Sequence, residues 1–223
     1  MRAFNQLGIM GGTFDPVHLG HLIMAETARA EHCLDHVLFL PTGDPPHKKN
    51  RNLQPASERI KMLELALEGN ANFSVSKIEV SRQGTTYTYD SLIQLKSIYP
   101  NVTRFSYIIG GDTLLDLRNW RSFDLIASLC DFLVFKRPGL DMQALSDEAK
   151  ALKSTYKVKV CFMEGPMISL SSSEIRQKIT QKKSIKYLVP DAIEEYIAKS
   201  RLYRGEDRND KAGIYGHSQG ADR

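Results

Sequence analysis

The hydrophobic pattern of the chain alternates between two kinds of segment. Short apolar runs of strand length are followed by longer stretches in which apolar residues recur at helical spacing. The predicted strands are residues 7–10, 37–40, 73–80, 105–109, 132–135 and 158–162. The predicted helices are residues 18–31, 57–67, 88–98, 114–117 with 123–129, 140–153, 172–180 and 191–200.

This alternation predicts an α/β fold, a Rossmann-like doubly wound parallel sheet with helices on both faces. The pattern extends over residues 1–204, which we interpret as a single domain. The composition then changes, since residues 205–223 contain four glycines, many charges and almost no apolar periodicity. We expect this segment to be a disordered polar tail.

Composition and charge are those of an ordinary globular chain. The 223 residues are 42% hydrophobic and 25% charged, enough for one well-packed core. The net charge of +4 suits an anionic ligand but lacks the clustered basic stripe of a nucleic-acid binder. Three widely spaced cysteines do not predict a disulfide framework. No apolar run approaches membrane-spanning length, and the start is too short for a signal peptide, so we expect a cytoplasmic protein.

Unusual residues cluster directly after the predicted strands. In a doubly wound sheet, the loops at the carboxyl ends of parallel strands line the ligand crevice. We therefore expect these loops to converge on one active site. They are residues 11–15, 41–49, 85–88, 110–112, 136–139 and 168–176.

The first of these loops is the most informative. Gly11 and Gly12 allow a tight turn, and His18 and His21 then lie one helical turn apart at the start of a helix. Free N–H groups and the helix dipole favour an anion there, so two histidines in that position predict a phosphate site. Zinc is the weaker alternative, because the spacing is three, no glutamate adjoins His18 and no third ligand is evident.

A second helix start has the same character. Residues 171–174 form a Ser-Ser-Ser-Glu capping box, and Arg176 follows in the opening turns of the helix. Two helix N-termini that carry extra cationic groups can together hold a polyphosphate. The chain has neither a Gly-x-Gly-x-x-Gly motif nor a Walker loop, so a dehydrogenase or P-loop ATPase is disfavoured.

These two motifs carry a resemblance to known proteins. Residues 12–21 and 171–176 resemble the His-x-Gly-His and Ser-Ser-Thr-x-Ile-Arg signatures of the nucleotidyltransferase superfamily, with Ser173 at the usual threonine. More narrowly, the chain resembles the bacterial nicotinate-nucleotide adenylyltransferases, from about Leu7 to Arg204. The segments that carry this narrower likeness are residues 45–48, 86–90, 109–120 and 137–139.

The resemblance implies transfer of AMP from ATP to nicotinate mononucleotide, giving nicotinate adenine dinucleotide and pyrophosphate in NAD biosynthesis. The acceptor phosphate is already largely dianionic at neutral pH, so no general base is needed, which agrees with the absence of a serine or cysteine nucleophile motif. Mg²⁺ is expected with ATP, held by phosphates and water rather than by a protein metal site. A homo-oligomer is compatible with this assignment.

The resemblance also implies roles for individual residues. His18, His21 and Arg176 would be catalytic, with His21 stabilising the transition state at the α-phosphate. Ser172, Ser173 and Arg176 would bind the β- and γ-phosphates, and Asp112 would bind the adenosine ribose. The remaining residues expected around ATP are Gly12, Thr13, Phe14, Gly110 and Arg137.

The acceptor site is expected on the later loops. Trp120 would stack on the pyridine ring, although an ordinary core tryptophan is the competing interpretation. Thr86 and Tyr87, with Thr88, would frame the ring and its carboxylate, and plain hairpin residues are the alternative. Lys48 would reach a phosphate across the cleft, or it is a solvated loop lysine.

Three other classes of function remain open from sequence. Pantetheine-phosphate adenylyltransferases and cytidylyltransferases share the two signatures but lack the segments around Thr86 and Trp120. A nicotinamide mononucleotide adenylyltransferase differs only in the pyridine substituent of its substrate. A nucleotide-binding regulatory module without catalysis is the third possibility.

Overall fold

The computed structural model describes residues 4–43, 53–136, 139–166 and 169–204. Within them lies one sheet of six parallel strands in the order β3-β2-β1-β4-β5-β6. The strand order reverses between β1 and β4, which is the topological switch point of a doubly wound sheet. The strands are β1 (Leu7–Gly12), β2 (His36–Pro41), β3 (Phe73–Val75), β4 (Phe105–Gly110), β5 (Cys130–Phe135) and β6 (Val160–Met163).

Helices cover both faces of this sheet, which confirms the predicted α/β class. They are α1 (Leu19–Glu31), α2 (Ala56–Leu67), α3 (Thr88–Ile98), α4 (Gly111–Leu114), α5 (Phe123–Leu129), α6 (Met142–Tyr156), α7 (Ser172–Thr180) and α8 (Asp191–Lys199), with a 3₁₀ turn at Leu117–Asn119.

The core is divided in two by the sheet because successive strand residues point to opposite faces. In β2, Val37 and Phe39 join the cluster under α1, α2, α7 and α8, whereas Leu38 and Leu40 join the cluster under α3, α5 and α6. All four side chains are at most 2% exposed. A strand that is buried on both faces has a continuous apolar run in its sequence, and the hydrophobic pattern located β2 by that run.

The third predicted strand is much shorter than expected. It ends at Val75 rather than at residue 80, and the chain turns after Ser76, whose N–H still donates to the Phe39 carbonyl oxygen at 2.9 Å. Turn hydrogen bonds such as Ser81 N to the Lys77 oxygen replace the ladder. The turn brings Glu79 toward the switch point, where it is buried.

Helix boundaries differ from the predictions where caps decide them. His18 is the extended N-cap of α1 and not its first helical residue. The helix predicted over residues 140–153 begins later, because the Asp141 side chain accepts from Gln143 N at 2.8 Å and caps α6. The helix predicted at residues 114–117 is replaced by α4, directly after β4, and the separate 3₁₀ turn.

Candidate active site

Two adjoining cavities lie at the carboxyl edge of the sheet. The switch-point cavity, of about 360 Å³, is lined by the ends of β1 and β4 and by the loops that follow β3 and β4. The helix-end cavity, of about 560 Å³, lies between the loop after β1 and the start of α7. His21 lines both cavities, so they meet at this imidazole.

Most of the predicted site residues line one of these cavities. Seven line the switch-point cavity: Gly12, His21, Thr86, Thr88, Gly110, Asp112 and Trp120. Six line the helix-end cavity: Thr13, Phe14, His21, Ser172, Ser173 and Arg176. Lys48 and Arg137 fall outside the described residues.

The two histidines of the first motif occupy different positions. Their rings stack with centroids 3.7 Å apart, and the His18 backbone N–H donates to His21 Nδ1 at 3.3 Å. In the neutral imidazole this leaves the proton of His21 on Nε2, a hydrogen-bond donor. His18 is only 3% exposed and lies behind His21, against Leu170 and the end of β5.

Phe14 also packs against the His21 ring. The two rings meet edge to face with centroids 5.0 Å apart, and Phe14 is 2% exposed. Its backbone has φ of 52°, in the left-handed region that costs a bulky residue about 1–3 kcal/mol. The surrounding packing has to hold this conformation, which indicates that the loop geometry is required at the site.

A fully buried arginine also holds the loop after β1 in place. Arg59 is 0% exposed and donates through Nη1 to the Thr13 oxygen at 2.9 Å and through Nε to the Gln54 oxygen at 3.0 Å. These bonds join α2 to the loop that lines the helix-end cavity. Sequence reasoning missed Arg59, because an arginine in an amphipathic helix ordinarily faces solvent.

Asp15 links this loop to the start of α7. It is 1% exposed, and its backbone oxygen accepts from Arg176 Nη1 at 2.6 Å. Ser172 Oγ donates to the adjacent Pro16 oxygen at 2.8 Å, and Arg176 Nη2 donates to Ser173 Oγ at 3.2 Å. The predicted capping box is present, with Glu174 N donating to Ser171 Oγ at 3.2 Å. The two motifs, more than 150 residues apart, are therefore joined directly.

The switch-point cavity has an aromatic wall. Tyr107 is buried on β4, and Trp120 meets it edge to face with centroids 5.8 Å apart. A Cβ at Gly11 would overlap the Tyr107 hydroxyl oxygen, so a side chain at this position of β1 would displace the ring. Trp120 is half-buried, so it both packs on Tyr107 and borders the cavity.

A carboxylate that sequence reasoning missed shares this cavity. Glu79 is 6% exposed, and Ser91 Oγ donates to its Oε1 at 2.7 Å. Burial raises the pKa of Glu79, and the Ser91 hydrogen bond and the Arg82 charge oppose that rise only in part. Burial, together with the Glu79 charge, also raises the pKa of Tyr107, so this hydroxyl keeps its proton at neutral pH.

Tyr87 is placed beside the cavity rather than on it. It is the N-cap of α3, its ring stacks with Tyr89 at 6.0 Å, and the Arg121 guanidinium lies 4.5 Å from its centroid. Thr86 and Thr88, the residues on either side, do line the cavity. Extended backbone at Tyr87 accounts for this, because successive side chains then point in opposite directions.

The site gathers helix N-termini, and its described residues form no dense set of metal ligands. α1, α3 and α7 all begin beside the two cavities, which directs free N–H groups and positive dipole ends toward them.

Within residues 4–43, 53–136, 139–166 and 169–204, no group of three or more His, Cys, Asp and Glu side chains is arranged to hold a metal ion. Over the same residues, no helix has the length and apolar character to cross a membrane.

Comparisons with known proteins agree with this geometry. The cytidylyltransferase-like family model matches residues 9–178. A probable nicotinate-nucleotide adenylyltransferase of Thermoanaerobacter sp. (strain X514) is 39% identical over 204 residues, which cover 92% of this chain and 97% of that protein. Another, from Thermomicrobium roseum, is 42% identical over 202 residues, covering 90% and 92% respectively.

A solved structure shares the fold at low sequence identity. The Plasmodium falciparum nicotinic acid mononucleotide adenylyltransferase complexed with NaAD superposes with a TM-score of 0.73 and 20% identity, covering 89% of this chain and 97% of that chain. At that identity the likeness supports the architecture alone, and the family rests on the two bacterial relatives and the family model. The chain belongs to the cytidylyltransferase-like family and, within it, to the nicotinate-nucleotide adenylyltransferases.

Proposed function

We propose that this protein transfers the adenylyl group of ATP to nicotinate mononucleotide, forming nicotinate adenine dinucleotide and pyrophosphate. The observation that carries the proposal is the position of His21 on both cavities. A reacting phosphorus between two bound substrates has to lie where their sites meet, and the relatives' names supply the identity of those substrates.

The helix-end cavity suits the departing phosphates. Arg176, Ser172 and Ser173 line it, and the N-terminus of α7 adds free N–H donors. Arginine presents paired donors that match phosphate oxygens, and it stays charged at any physiological pH. These groups stabilise the negative charge that builds up on the leaving pyrophosphate.

The switch-point cavity suits the two nucleoside parts. Trp120 and Tyr107 offer an aromatic wall for a pyridine ring, Thr86 and Thr88 offer hydroxyl donors, and Asp112 in the first turn of α4 is placed to accept from ribose hydroxyls.

We assign His18 a supporting part, because its ring stacks against His21 without lining either cavity.

The chemistry needs positioning and charge rather than a base. An acceptor phosphate oxygen forms a bond to the α-phosphorus of ATP while the bond from that phosphorus to the bridging oxygen of pyrophosphate breaks. The acceptor is largely dianionic at pH 7, since its second pKa is about 6. The Nε2 proton of His21 stabilises the charge that develops on the α-phosphate oxygens, which is the kind of contribution that dominates such transfers.

The donor set of the site fits Mg²⁺ that is bound with ATP. The buried Asp15 carboxylate is committed to Tyr203 and faces Arg176, so it is not free to form a protein metal cage. Mg²⁺ ordinarily keeps several waters and contacts substrate phosphates, and it supplies positive charge to the triphosphate when bound.

Steady-state assays test the proposal. Purified protein with ATP and Mg²⁺ is given nicotinate or nicotinamide mononucleotide, and pyrophosphate and dinucleotide are both measured. We expect both products with nicotinate mononucleotide and a higher kcat/KM for it than for the amide. A higher kcat/KM for the amide would reassign the acceptor, and ATP binding without pyrophosphate release would indicate a non-catalytic module.

A further inference from the structure

A tyrosine in the last described turn reaches into the support of the helix-end cavity. Tyr203 follows α8, and its hydroxyl donates to Asp15 Oδ1 at 2.6 Å, across 188 residues of sequence. Thr180 Oγ1, on α7, donates to the Tyr203 backbone oxygen at 3.3 Å. Tyr203 has φ of 62°, a conformation that a bulky residue adopts only where surrounding contacts hold it.

The other oxygen of the Asp15 carboxylate lies near Arg176 but does not form a hydrogen bond with it. Asp15 Oδ2 lies 3.8 Å from Arg176 Nη1, and among the described residues it has no hydrogen-bond partner. A charge-assisted arginine–carboxylate bond is normally about 2.7–2.9 Å long. Asp15 is thus held just short of a full ion pair with an arginine that lines the helix-end cavity.

We propose that Tyr203 is a positioning residue that keeps Arg176 available for phosphate by holding the Asp15 carboxylate away from it. This inference rests on the proposed function, in which Arg176 binds the departing pyrophosphate. Tyr203 lines neither cavity, and in this role it acts only through Asp15.

Tyr203 and Arg176 compete for the Asp15 carboxylate. Without the Tyr203 hydroxyl, Asp15 Oδ1 would keep only the long hydrogen bond from Gln54 N at 3.3 Å, and a buried carboxylate that loses its short hydrogen bond is stabilised by a new partner. Arg176 is the nearest cation to Asp15 Oδ2 in the described ion pairs, so the carboxylate would close on its guanidinium. A guanidinium engaged by a close carboxylate has fewer donors and less net charge to offer a phosphate. The affinity of the helix-end cavity for phosphate groups would fall.

Tyr203 is suited to this role at any physiological pH. Burial, followed by the hydrogen bond to Asp15, raises the pKa of Tyr203. The phenol therefore keeps the proton that it donates.

The chain offers a matched control for the test. Tyr196, on α8, also donates its hydroxyl to a carboxylate, Glu58 Oε2 on α2, at 2.9 Å. Tyr196→Phe and Tyr203→Phe each remove one tyrosine–carboxylate hydrogen bond that ties the C-terminal region to the rest of the fold. Tyr203→Phe alone alters Asp15 and Arg176.

The first measurement compares KM values for the substrates in both directions. Losing a hydrogen bond to a charged group corresponds to roughly 10-fold in a binding constant. We expect Tyr203→Phe to raise KM for ATP, and for pyrophosphate in the reverse reaction, by about that factor, and to leave KM for the mononucleotide within about twofold. Tyr196→Phe should leave all three within about twofold. Unchanged KM for ATP and pyrophosphate in Tyr203→Phe, or equal shifts in the two variants, would overturn the proposal.

A binding measurement separates this inference from the proposed function. Calorimetry with inorganic pyrophosphate needs no acceptor, so a wild-type protein that fails to turn over nicotinate mononucleotide would defeat the function but leave this test intact. We expect weaker pyrophosphate binding in Tyr203→Phe than in Tyr196→Phe. Equal dissociation constants would contradict the role of Tyr203.

A second variant covers the case in which Tyr203→Phe does not fold. In Asp15→Asn the side chain has no charge with which to capture Arg176, and an unpaired neutral oxygen is less costly than a buried unpaired carboxylate. Adding Tyr203→Phe to Asp15→Asn should therefore change pyrophosphate binding by less than about twofold. A large further loss in this double variant would show that Tyr203 does not act through Asp15.

Discussion

The two halves of the site are stabilised by different physical means. Under the helix-end cavity, hydrogen bonds between buried polar and charged groups hold the structure. Arg59 holds the loop after β1, and Asp15 joins that loop to Arg176 and Tyr203. Around the switch-point cavity, Tyr107 and Trp120 pack edge to face, and Glu79 contributes a buried carboxyl group. A polyphosphate needs cations held in advance, whereas a flat ring needs an apolar wall.

This difference sets how each half should respond to substitution. A buried charge depends on each of its partners, so one lost contact in the helix-end half should alter how this half holds phosphate. Aromatic packing is spread over many contacts, so a loss in the switch-point half should mainly weaken binding of one substrate. His21, which lines both cavities, is the point at which the two responses should separate.

Removing His21 should have the largest effect. His21→Ala deletes the donor that we assign to the α-phosphate, and removing one such donor typically costs about 10²–10³ in kcat. KM for ATP should change much less, because Arg176 and the α7 N-terminus, which we propose bind the other phosphates, are unchanged in this variant. Stopped-flow or steady-state pyrophosphate release measures both parameters.

The control for His21 is a substitution that keeps a donor. His21→Asn retains an N–H group in a shorter side chain and should recover part of the lost turnover. Unchanged kcat in His21→Ala would remove His21 from the catalytic role, and the idea that the cavities meet at the reacting phosphorus would fail with it.

Trp120→Ala should have the next largest effect, and this effect should be limited to the switch-point half of the site. Trp120→Ala removes the wall residue beside Tyr107, and aromatic pairs contribute about 0.5–1.5 kcal/mol, or roughly 2- to 10-fold in binding. We expect KM for the mononucleotide to rise by about that factor and KM for ATP to change by less. Trp120→Phe, which keeps an aromatic face, should show a smaller rise.

Equal shifts in the two KM values would show that Trp120 acts through the fold. That outcome is a real alternative, because the side chain is half-buried and packs against the core residue Tyr107. A thermal unfolding midpoint for each variant distinguishes the two interpretations.

The same contrast explains which parts of the site the sequence could predict. His21 and Arg176 belong to short motifs at helix starts, where spacing alone places a side chain relative to the helix dipole. The glycines and the strand–helix alternation likewise placed these motifs at one edge of the sheet. Fold class and the helix-end half therefore follow largely from local pattern.

The missed residues depend on contacts that are distant in sequence. Tyr203 meets Asp15 across 188 residues, and Arg59 meets Thr13 across 46, and no local pattern encodes either pairing. Glu79 was predicted within a strand, but that strand ends at Val75 and a turn carries the carboxylate into the cavity. Tertiary pairing of polar groups, rather than periodicity, decides these positions.

Glu79 should give the smallest effect, visible as a pH dependence of stability. Its folded-state pKa is raised by burial, so the folded protein favours the protonated carboxyl. The stability that Glu79 contributes is therefore fully present below its ordinary pKa and is lost as pH rises through the raised value. Glu79→Gln cannot titrate, so the free energy of unfolding of the wild type, relative to this variant, should decrease as pH rises from the ordinary glutamate pKa through the raised one.

Ser91→Ala gives this prediction a matched comparison in the same half of the site. The Ser91 hydroxyl donates to Glu79 Oε1 and lowers the pKa of Glu79 against the effect of burial. Without that hydroxyl the pKa should rise further, so the loss of stability should extend to higher pH than in the wild type. Urea titrations at several pH values measure both differences. If Glu79→Gln instead kept a constant offset from the wild type across this range, the buried carboxylate would be as well satisfied as the charged groups under the helix-end cavity, and the contrast between the halves would be lost.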